Sequence, residues 1–382
     1  MIARLRGDIE DKLEPGQPSQ DEVSKISRRW LISNHIDLEL REFYYETELE
    51  LELSQTYLTI GKQQIVWGKA DGLKVLDVVN PMDFREFILD DFDDSRIPLW
   101  TINAEIPIND SLLQLIWIPD QTYNILPESD ALYAFTSPCL IPAVPPGVAI
   151  DLQSLDKPDH FFSDADYGIR LTSFVAGWDL SLNYLYHYND NPVLFRTLTL
   201  GKEPKVTITP TYKRSHLLGG TFSNAFGDFV LRGEIGYSTD QYFLTDNIRD
   251  HDGVIKSDEL SYVIGLDWSG IEDTFLSVQL FQSHLMQESS GLIRDSLIRD
   301  KVETTMTLLA RQDFINETIE AEVLWLHNTN NKDGLIRPKI SYEWKDDVNV
   351  WLGLDIFYGD EKGLFGQFDH KDRFIIGVEW GF

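Results

Sequence analysis

The chain carries one cysteine, Cys139, in 382 residues. No internal disulfide can form, which excludes a small disulfide-stapled scaffold. Long apolar runs are missing as well. No stretch approaches the ~18 consecutive apolar residues of a membrane helix, and mean hydropathy is −0.23. A helical membrane protein is therefore excluded. Basic residues are scarce: 33 Lys and Arg stand against 63 Asp and Glu, a formal charge of −30. Phosphate backbones bind basic surfaces, so nucleic acid is not an expected partner. The 8 histidines are scattered, with no Gly-x-Ser-x-Gly elbow and no His-Glu-x-x-His pair to mark a hydrolase. The opening Met1-Ile-Ala-Arg-Leu-Arg-Gly7 lacks the ~7–15-residue apolar core of an export signal.

What the chain has instead is alternation. In Lys371–Phe382, Phe374, Ile376, Val378, Trp380 and Phe382 share one face of an extended strand, while Arg373, Gly377, Glu379 and Gly381 share the other. Strand side chains point alternately to opposite faces. A face for lipid and a face for water is the requirement of a transmembrane β-strand, and it leaves average hydropathy low. The same pattern recurs upstream. Leu352 and Leu354 oppose Gly353 and Asp355; Ile340 and Tyr342 oppose Lys339 and Ser341; Ile264 and Leu266 oppose Gly265 and Asp267. Short turns such as Ala176-Gly177 and Phe226-Gly-Asp228 alternate with longer polar stretches near 188–204, 243–257, 288–299, 328–335 and 359–370. Short turns on one side of a membrane and long loops on the other mark a barrel. Aromatics reach 12%, which suits the girdles of a barrel's two interfaces.

The expected fold is therefore all-β: one transmembrane antiparallel barrel over 1–382, of about 16 strands within a range of 14–18, an even number. About fifteen complete strands can be counted, and Ala3–Asp11 reads as the end of another, cut short. In the N-terminal third, Ile36, Leu38 and Leu40 follow one phase and Phe43, Tyr45, Leu49, Leu51 and Leu53 the other; a bulge between Leu40 and Phe43 reconciles them. Residues 119–165 are Pro-rich with little periodicity and read as a long extracellular or lumenal loop. The final aromatic residue resembles the signal by which outer-membrane barrels are taken up by the barrel assembly machinery. The outer membrane of a Gram-negative bacterium is thus the expected location, with lipid and lipopolysaccharide around the wall and the acidic loops bridged to the latter by divalent cations.

One segment, 67–98, does not read as wall. It contains Trp67, Gly68, Lys69, Asp71, Asp77, Asn80, Pro81, Asp83, Arg85 and Arg96. Asn80 suits an N-cap and Pro81 a first helical position. Phe84, Phe87, Ile88 and Phe92 then recur at helical spacing, so a short amphipathic helix is expected over 81–92, inside a connection that either packs on the wall or plugs the lumen. Asp90, Asp91, Asp93 and Asp94 crowd its C-terminal end, where the dipole disfavours acids by about 0.3–1 kcal/mol each. Lys69, Arg85 and Arg96 are candidate partners for these acids and for inward acids of the wall. Ca²⁺ is the alternative occupant, since it takes several carboxylate oxygens, although the spacing matches no EF-hand.

The string from Gly61-Lys-Gln-Gln-Ile-Val-Trp-Gly68 through Asp77-Val-Val-Asn-Pro81 to Ser95-Arg-Ile-Pro98 resembles a proteobacterial family of outer-membrane barrels carried as a domain of unknown function. The resemblance covers about 61–120 specifically. It implies a porin-like or alginate-export-like architecture. It also implies a transport or envelope role, because such proteins are often encoded near resistance-nodulation-division exporters and a periplasmic lipoprotein-carrier-like protein. Members normally carry a signal peptide, and this chain departs from that.

The leading functional expectation is a channel for solutes or for exporter-delivered, including lipidic, cargo. Its selectivity would lie with the inward charges Arg170, Arg232, Glu234, Asp267, Glu303, Arg311, Arg337, Lys339, Glu343, Asp355, Arg373 and Glu379. Two alternatives stand beside it: an outer-membrane lipase or protease on a barrel, and a non-conducting envelope scaffold. No catalytic residue is assigned.

Overall fold

A computed structural model describes residues 1–50, 55–142, 144, 147–201, 203–247, 250–286, 297–345 and 347–381. The strands are β1 (Ile2–Gly7), β2 (Trp30–Ser33), β3 (Ile36–Glu50), β4 (Gln55–Gln63), β5 (Leu99–Ile108), β6 (Ser111–Ile118), β7 (Ala149–Leu152), β8 (Asp166–Val175), β9 (Trp178–Tyr188) and β10 (Val193–Thr199). They continue as β11 (Lys205–Thr211), β12 (Arg214–Phe226), β13 (Phe229–Leu244), β14 (Val254–Trp268), β15 (Thr274–Leu285) and β16 (Val302–Phe314). The last four are β17 (Ile319–Asn328), β18 (Asp333–Lys345), β19 (Val348–Tyr358) and β20 (Arg373–Trp380). Among the described residues a one-turn helix α1 (Phe92–Ser95) and a 3₁₀ turn at Gly366–Phe368 complete the elements.

Among the described residues seventeen strands form one sheet. With the four-residue β2 set aside, sixteen make an antiparallel meander in the order β1, β3 to β6, β8, β9, β12 to β20, as expected from the alternation. The meander does not close by hydrogen bonds: among the described residues no ladder joins β20 to β1. Its turns sort by end. Asn109-Asp110, Ala176-Gly177 and Gly227-Asp228 are tight, and both Ala176 (φ 50°) and Gly177 (φ 87°) adopt the left-handed conformation of a two-residue hairpin turn. The connections 8–35, 64–98, 119–165, 189–213 and 359–372 leave from the opposite end.

The facing follows the sequence pattern. On β20, Phe374, Ile376, Val378 and Trp380 are 62–69% exposed, whereas the inward Asp355 of β19 is 1% exposed. Phe226, Phe229, Phe314, Trp344 and Trp380 are exposed beside the tight turns, a level belt of rings such as a bilayer interface favours. The phase change in β3 has its bulge: Ile2 pairs with Glu42 and Ala3 with Leu40, which skips Arg41. Leu51, Leu53 and Phe382, expected to alternate with these walls, lie outside the described residues.

Three of the connections differ in detail from the sequence expectation. The 119–165 stretch is not structureless. Its β7 joins β11 in parallel, and β11 pairs with β10, so a separate three-stranded sheet forms across two connections. The 188–204 stretch, expected to be polar loop, supplies β10. Its alternation, Val193-Leu-Phe-Arg-Thr-Leu-Thr199, is short and mixed, and pairing with β11 of the same connection, itself joined to β7, makes it a strand. The helix near 81–92 is a single turn displaced to Phe92–Ser95. Met82 bridges Arg96, and Asp83 bridges Ile125, so the start of the expected helix is extended. Phe87 then takes φ 56°, which a right-handed helix cannot continue through. Tertiary backbone pairing outweighs a helical propensity worth only a few tenths of a kcal/mol per residue.

Candidate functional site

The site is the connection 64–98 together with the inward face it crosses. Small inward residues make room for it. Gly168 of β8 lies under Trp67, where a Cβ would stand 2.8 Å from the indole Cη2. Gly219 of β12 and Gly236 of β13 accept Leu76, and a side chain at Gly219 would collide with its methyl groups. Trp67 and Leu76 are fully buried with Ile65, Val79, Leu99, Ile116, Ile118, Leu185 and Leu217. Apolar burial of about 1.5–3 kcal/mol per large side chain fixes this arm to one side of the wall.

Polar contacts carry the arm across. The Trp67 indole N–H donates to Gln114 of β6 at 2.9 Å. Lys69 pairs with Asp179 of β9, and the Lys69 backbone N–H donates to Glu234 of β13. The other Glu234 oxygen accepts from Leu76 N–H at 3.0 Å. Asp71 pairs with Arg232, which also holds Asp267 at 2.8 Å. The Gln279 amide of β15 donates to Asp71 at 3.0 Å. Gly68 is needed because a Cβ would fall 2.8 Å from that of Asp77. Asp77 in turn binds Arg96 at 2.8 Å and Lys74 at 2.8 Å.

Beyond Asp77 the chain turns back. Asn80 is not an N-cap: its carboxamide accepts from Ile65 N–H at 2.7 Å and donates to Ile97 O at 2.9 Å, tying the two ends of the connection together. The Pro81 carbonyl accepts from Ile97 N–H at 2.8 Å. Arg85 is 2% exposed and grips Asp83 (Nε to Oδ1, 2.9 Å) and Glu14. Arg29 also holds Glu14 and Asp37, each at 2.7 Å. Burial pushes the Asp83 carboxyl up, but Arg85, with Arg6 and Arg4, outweighs it and holds Asp83 well below the usual carboxylate range. Glu14 is lowered for the same reason, burial being outweighed by Arg29 and Arg85. Asp90 moves the other way: burial raises it, and Arg6 offsets only part.

This half of the connection reaches both edge strands. Arg6 of β1 meets Asp83 at 3.0 Å and Asp90 at 3.3 Å, and Arg4 donates to Asp94 O at 3.0 Å. From the other edge, Arg373 of β20 pairs with Glu86 and donates to Leu89 O at 3.2 Å. Arg337 of β18 donates to Leu89 O at 2.6 Å, and Asp355 holds both Arg337 and Arg373 at 2.8 Å. Phe87 and Leu89 pack with Tyr133, Leu326, Leu335, Phe357, Phe365 and Phe368.

The four acids at 90–94 do not form a cation cage. Asp90 turns to Arg6, Asp93 pairs with Arg96 at 2.5 Å, and Asp91 offers its carbonyl to Ser95 N–H. Among the described residues the grouping with ligand spacing is Asp159, His160 and Asp164 instead. Lys69 meets Glu234 only through its backbone, while Arg85 and Arg96 find partners within the connections; Glu303 is left to Arg299 at 3.3 Å. Arg170 donates to Val66 O at 3.1 Å. Sequence reasoning missed Glu14, Asp179 and Glu86, which meet Arg85, Lys69 and Arg373 from far along the chain, and also Arg29 and Asp37, whose pairing spans 8 residues of an irregular connection without a periodic signal. Arg4 and Arg6 carried a signal in their period-two spacing.

Toward the tight turns the inward face stays open. A recess of about 630 Å³ is lined by Asp313, Glu317, Glu320, Glu343, Asp347 and Glu379, against the cations Arg311 and Lys345. Arg311, Glu343 and Glu379, expected inward, thus come together here.

These features describe a large antiparallel transmembrane-type β-wall with an inserted connection on its inward side. The family described as "Protein of unknown function (DUF1302)" matches residues 31–333, and the chain belongs to it. No curated protein matches the chain. Among solved structures, an anion-selective porin from Comamonas acidovorans is 10% identical, covering 91% of this chain and 92% of that one, with a TM-score of 0.43. A mutant of Rh. blastica porin is 12% identical over 100% of both chains, with a TM-score of 0.40. A loop-deletion mutant of OmpT, an outer membrane protein of Vibrio cholerae, is 11% identical over 88% of each, with a TM-score of 0.41. Likenesses at such scores carry no functional argument.

Proposed function

We propose that this protein is an outer-membrane channel of a Gram-negative bacterium, held shut in this conformation by the 64–98 connection, and selective for cations. The observation that carries the reading is the set of inward ties. One connection is bonded to β6, β9, β13 and β15 by its first half, and to β1, β18 and β20 by its second. A sixteen-strand barrel is too wide for wall side chains alone to fill, so such a segment sets the bore. Six carboxylates against two cations in the recess favour cations entering from the turn side, because charge in a low-dielectric cleft concentrates counter-ions. The alternation of lipid-facing and water-facing residues, with the turn-side belt of aromatic rings, supports the membrane location. Cargo delivered by a periplasmic exporter would enter at this same end.

The test is conductance in planar bilayers. Replacing 72–95 by a short Gly/Ser linker should raise single-channel conductance, and a KCl gradient should give a reversal potential of the cation-selective sign. Unchanged conductance together with ready cleavage of the segment by added protease would show an exposed loop, and the plug reading would fail.

A further inference from the structure

Next to the acidic recess, a lysine ammonium stands over a tryptophan ring. β18 and β19 run side by side with Ser341 opposite Trp351 and Lys339 opposite Gly353. Ser341 and Asn349 line the recess, so Trp351 and Lys339 lie one inward step deeper along the same two strands. Trp351 shares the inward phase of Gly353 and the buried Asp355, opposite the exposed Leu352 and Leu354. Its indole lies against β20 at Gly377, its register partner, where any Cβ would strike the ring. A glycine in a strand interior weakens it and marks close approach; here the approach is that of the Trp351 ring. Gly377 thus covers one side of the ring. The Lys339 ammonium already stands over the ring, 4.9 Å from its centroid. Glu322 is the register partner of Lys339 on β17, and Glu320, Glu343 and Glu379 line the approach.

We propose that Trp351, laid on Gly377 and fronted by the recess carboxylates, forms a binding station for organic cations of the amine or quaternary-ammonium class, with the Lys339 side chain standing in for the ligand when none is bound. The proposal rests on the channel reading for its biological setting, but the geometry is independent of it. An aromatic face attracts a cation through its quadrupole, and carboxylates at the rim supply the long-range field. A small inorganic cation keeps its hydration and passes; an alkylated ammonium sheds water readily and lodges on the ring.

The experiment uses the full chain folded in detergent and in bilayers, with N-methylpyridinium as probe, since it is both an organic cation and a tryptophan quencher. Titration should show a saturating quenching component that is absent in Trp351→Phe, because the reporter is gone. Lys339→Met removes the resident ammonium and should lower the half-quenching concentration. In the 72–95 replacement, where K⁺ current can be read, block by the same probe should weaken about three- to thirtyfold on adding Trp351→Leu. A saturating component that survives Trp351→Phe, or an unchanged half-quenching concentration in Lys339→Met, overturns the site. Saturating quenching at Trp351 without any K⁺ conductance, even after the 72–95 replacement, overturns the channel reading and leaves the site standing. Conductance with purely collisional quenching does the reverse.

Discussion

Removing Arg85 should be the most damaging single change in the 64–98 connection. Its guanidinium is 2% exposed and sits between Asp83 and Glu14, whose side chains are 4% and 11% exposed. Arg85→Met keeps much of the volume but leaves two buried carboxylates with fewer cations. Deleting one partner of a buried ion pair costs about 3–5 kcal/mol, most of it from the charge left behind. Arg29 and Arg6 still reach Glu14 and Asp83 at 2.7 Å and 3.0 Å, so the lower end of that range is expected. The loss should appear as release of the connection, because the sheet ladders are untouched. The assay is limited proteolysis at 70–95 against urea in lipid-folded protein, with wall integrity followed by heat-modifiable mobility. Combining Arg85→Met with Asp83→Asn and Glu14→Gln should recover most of the loss, since replacing a whole buried ion group by neutral residues is far cheaper than breaking it. The reasoning is refuted if Arg85→Met alone costs under about 1 kcal/mol, or if the triple variant is less protected than the single one.

The pH dependence has a definite sign. Asp83 and Glu14 are held below their ordinary values of 3.8 and 4.5, so their contribution is fully present above those values and is lost as pH falls below them; protease protection of 70–95 should hold from neutral pH to about 5 and decline under stronger acid, whereas decline already at pH 6 to 7 would contradict the assignment. Arg85→Met should regain protection on acidification, as the orphaned carboxyls take up protons. On the lipid side, Ile264→Arg or Leu352→Arg should impair membrane folding by about 2–4 kcal/mol near mid-bilayer, measured by folding titration into vesicles; an equal cost for arginine at inward Gly353 would mean the facing is wrong. Gly236→Val, where a Cβ would meet Leu76 Cδ2 at 3.2 Å with side chains alone around it, should press Leu76 away and loosen the arm at a cost of about 1–3 kcal/mol, read as raised conductance with unchanged heat-modifiability.

Much of the wall could be read from the chain alone, and the reason is local. Alternation in Phe374–Trp380 or Leu352–Leu354 reports which side of a strand meets lipid, because the strand period of two places successive residues on opposite faces. The bulge at Arg41 was legible too, since a one-residue insertion flips every later side chain. Even the unusual character of 67–98 showed, as a break in that period. Its conformation did not. Asn80 and Pro81 carry good helix-start chemistry, and the apolar residues after them keep helical spacing. The chain is nonetheless extended there, because residues 81–83 find backbone partners at 95–97 and 125 that no local signal announces.

The strands of the wall, their facing, their number and the acid excess all depend on neighbours along the chain, and so they are written in its order of residues. Which charges meet is not. Arg373 finds Glu86 across 287 positions, and Arg232 finds Asp71 across 161. The seating of Trp351 on Gly377 with an ammonium above it likewise comes from three strands brought into register. Side-chain charge is a property of one residue, but a charge pair is a property of two whose separation in space is set by the register of every strand between them.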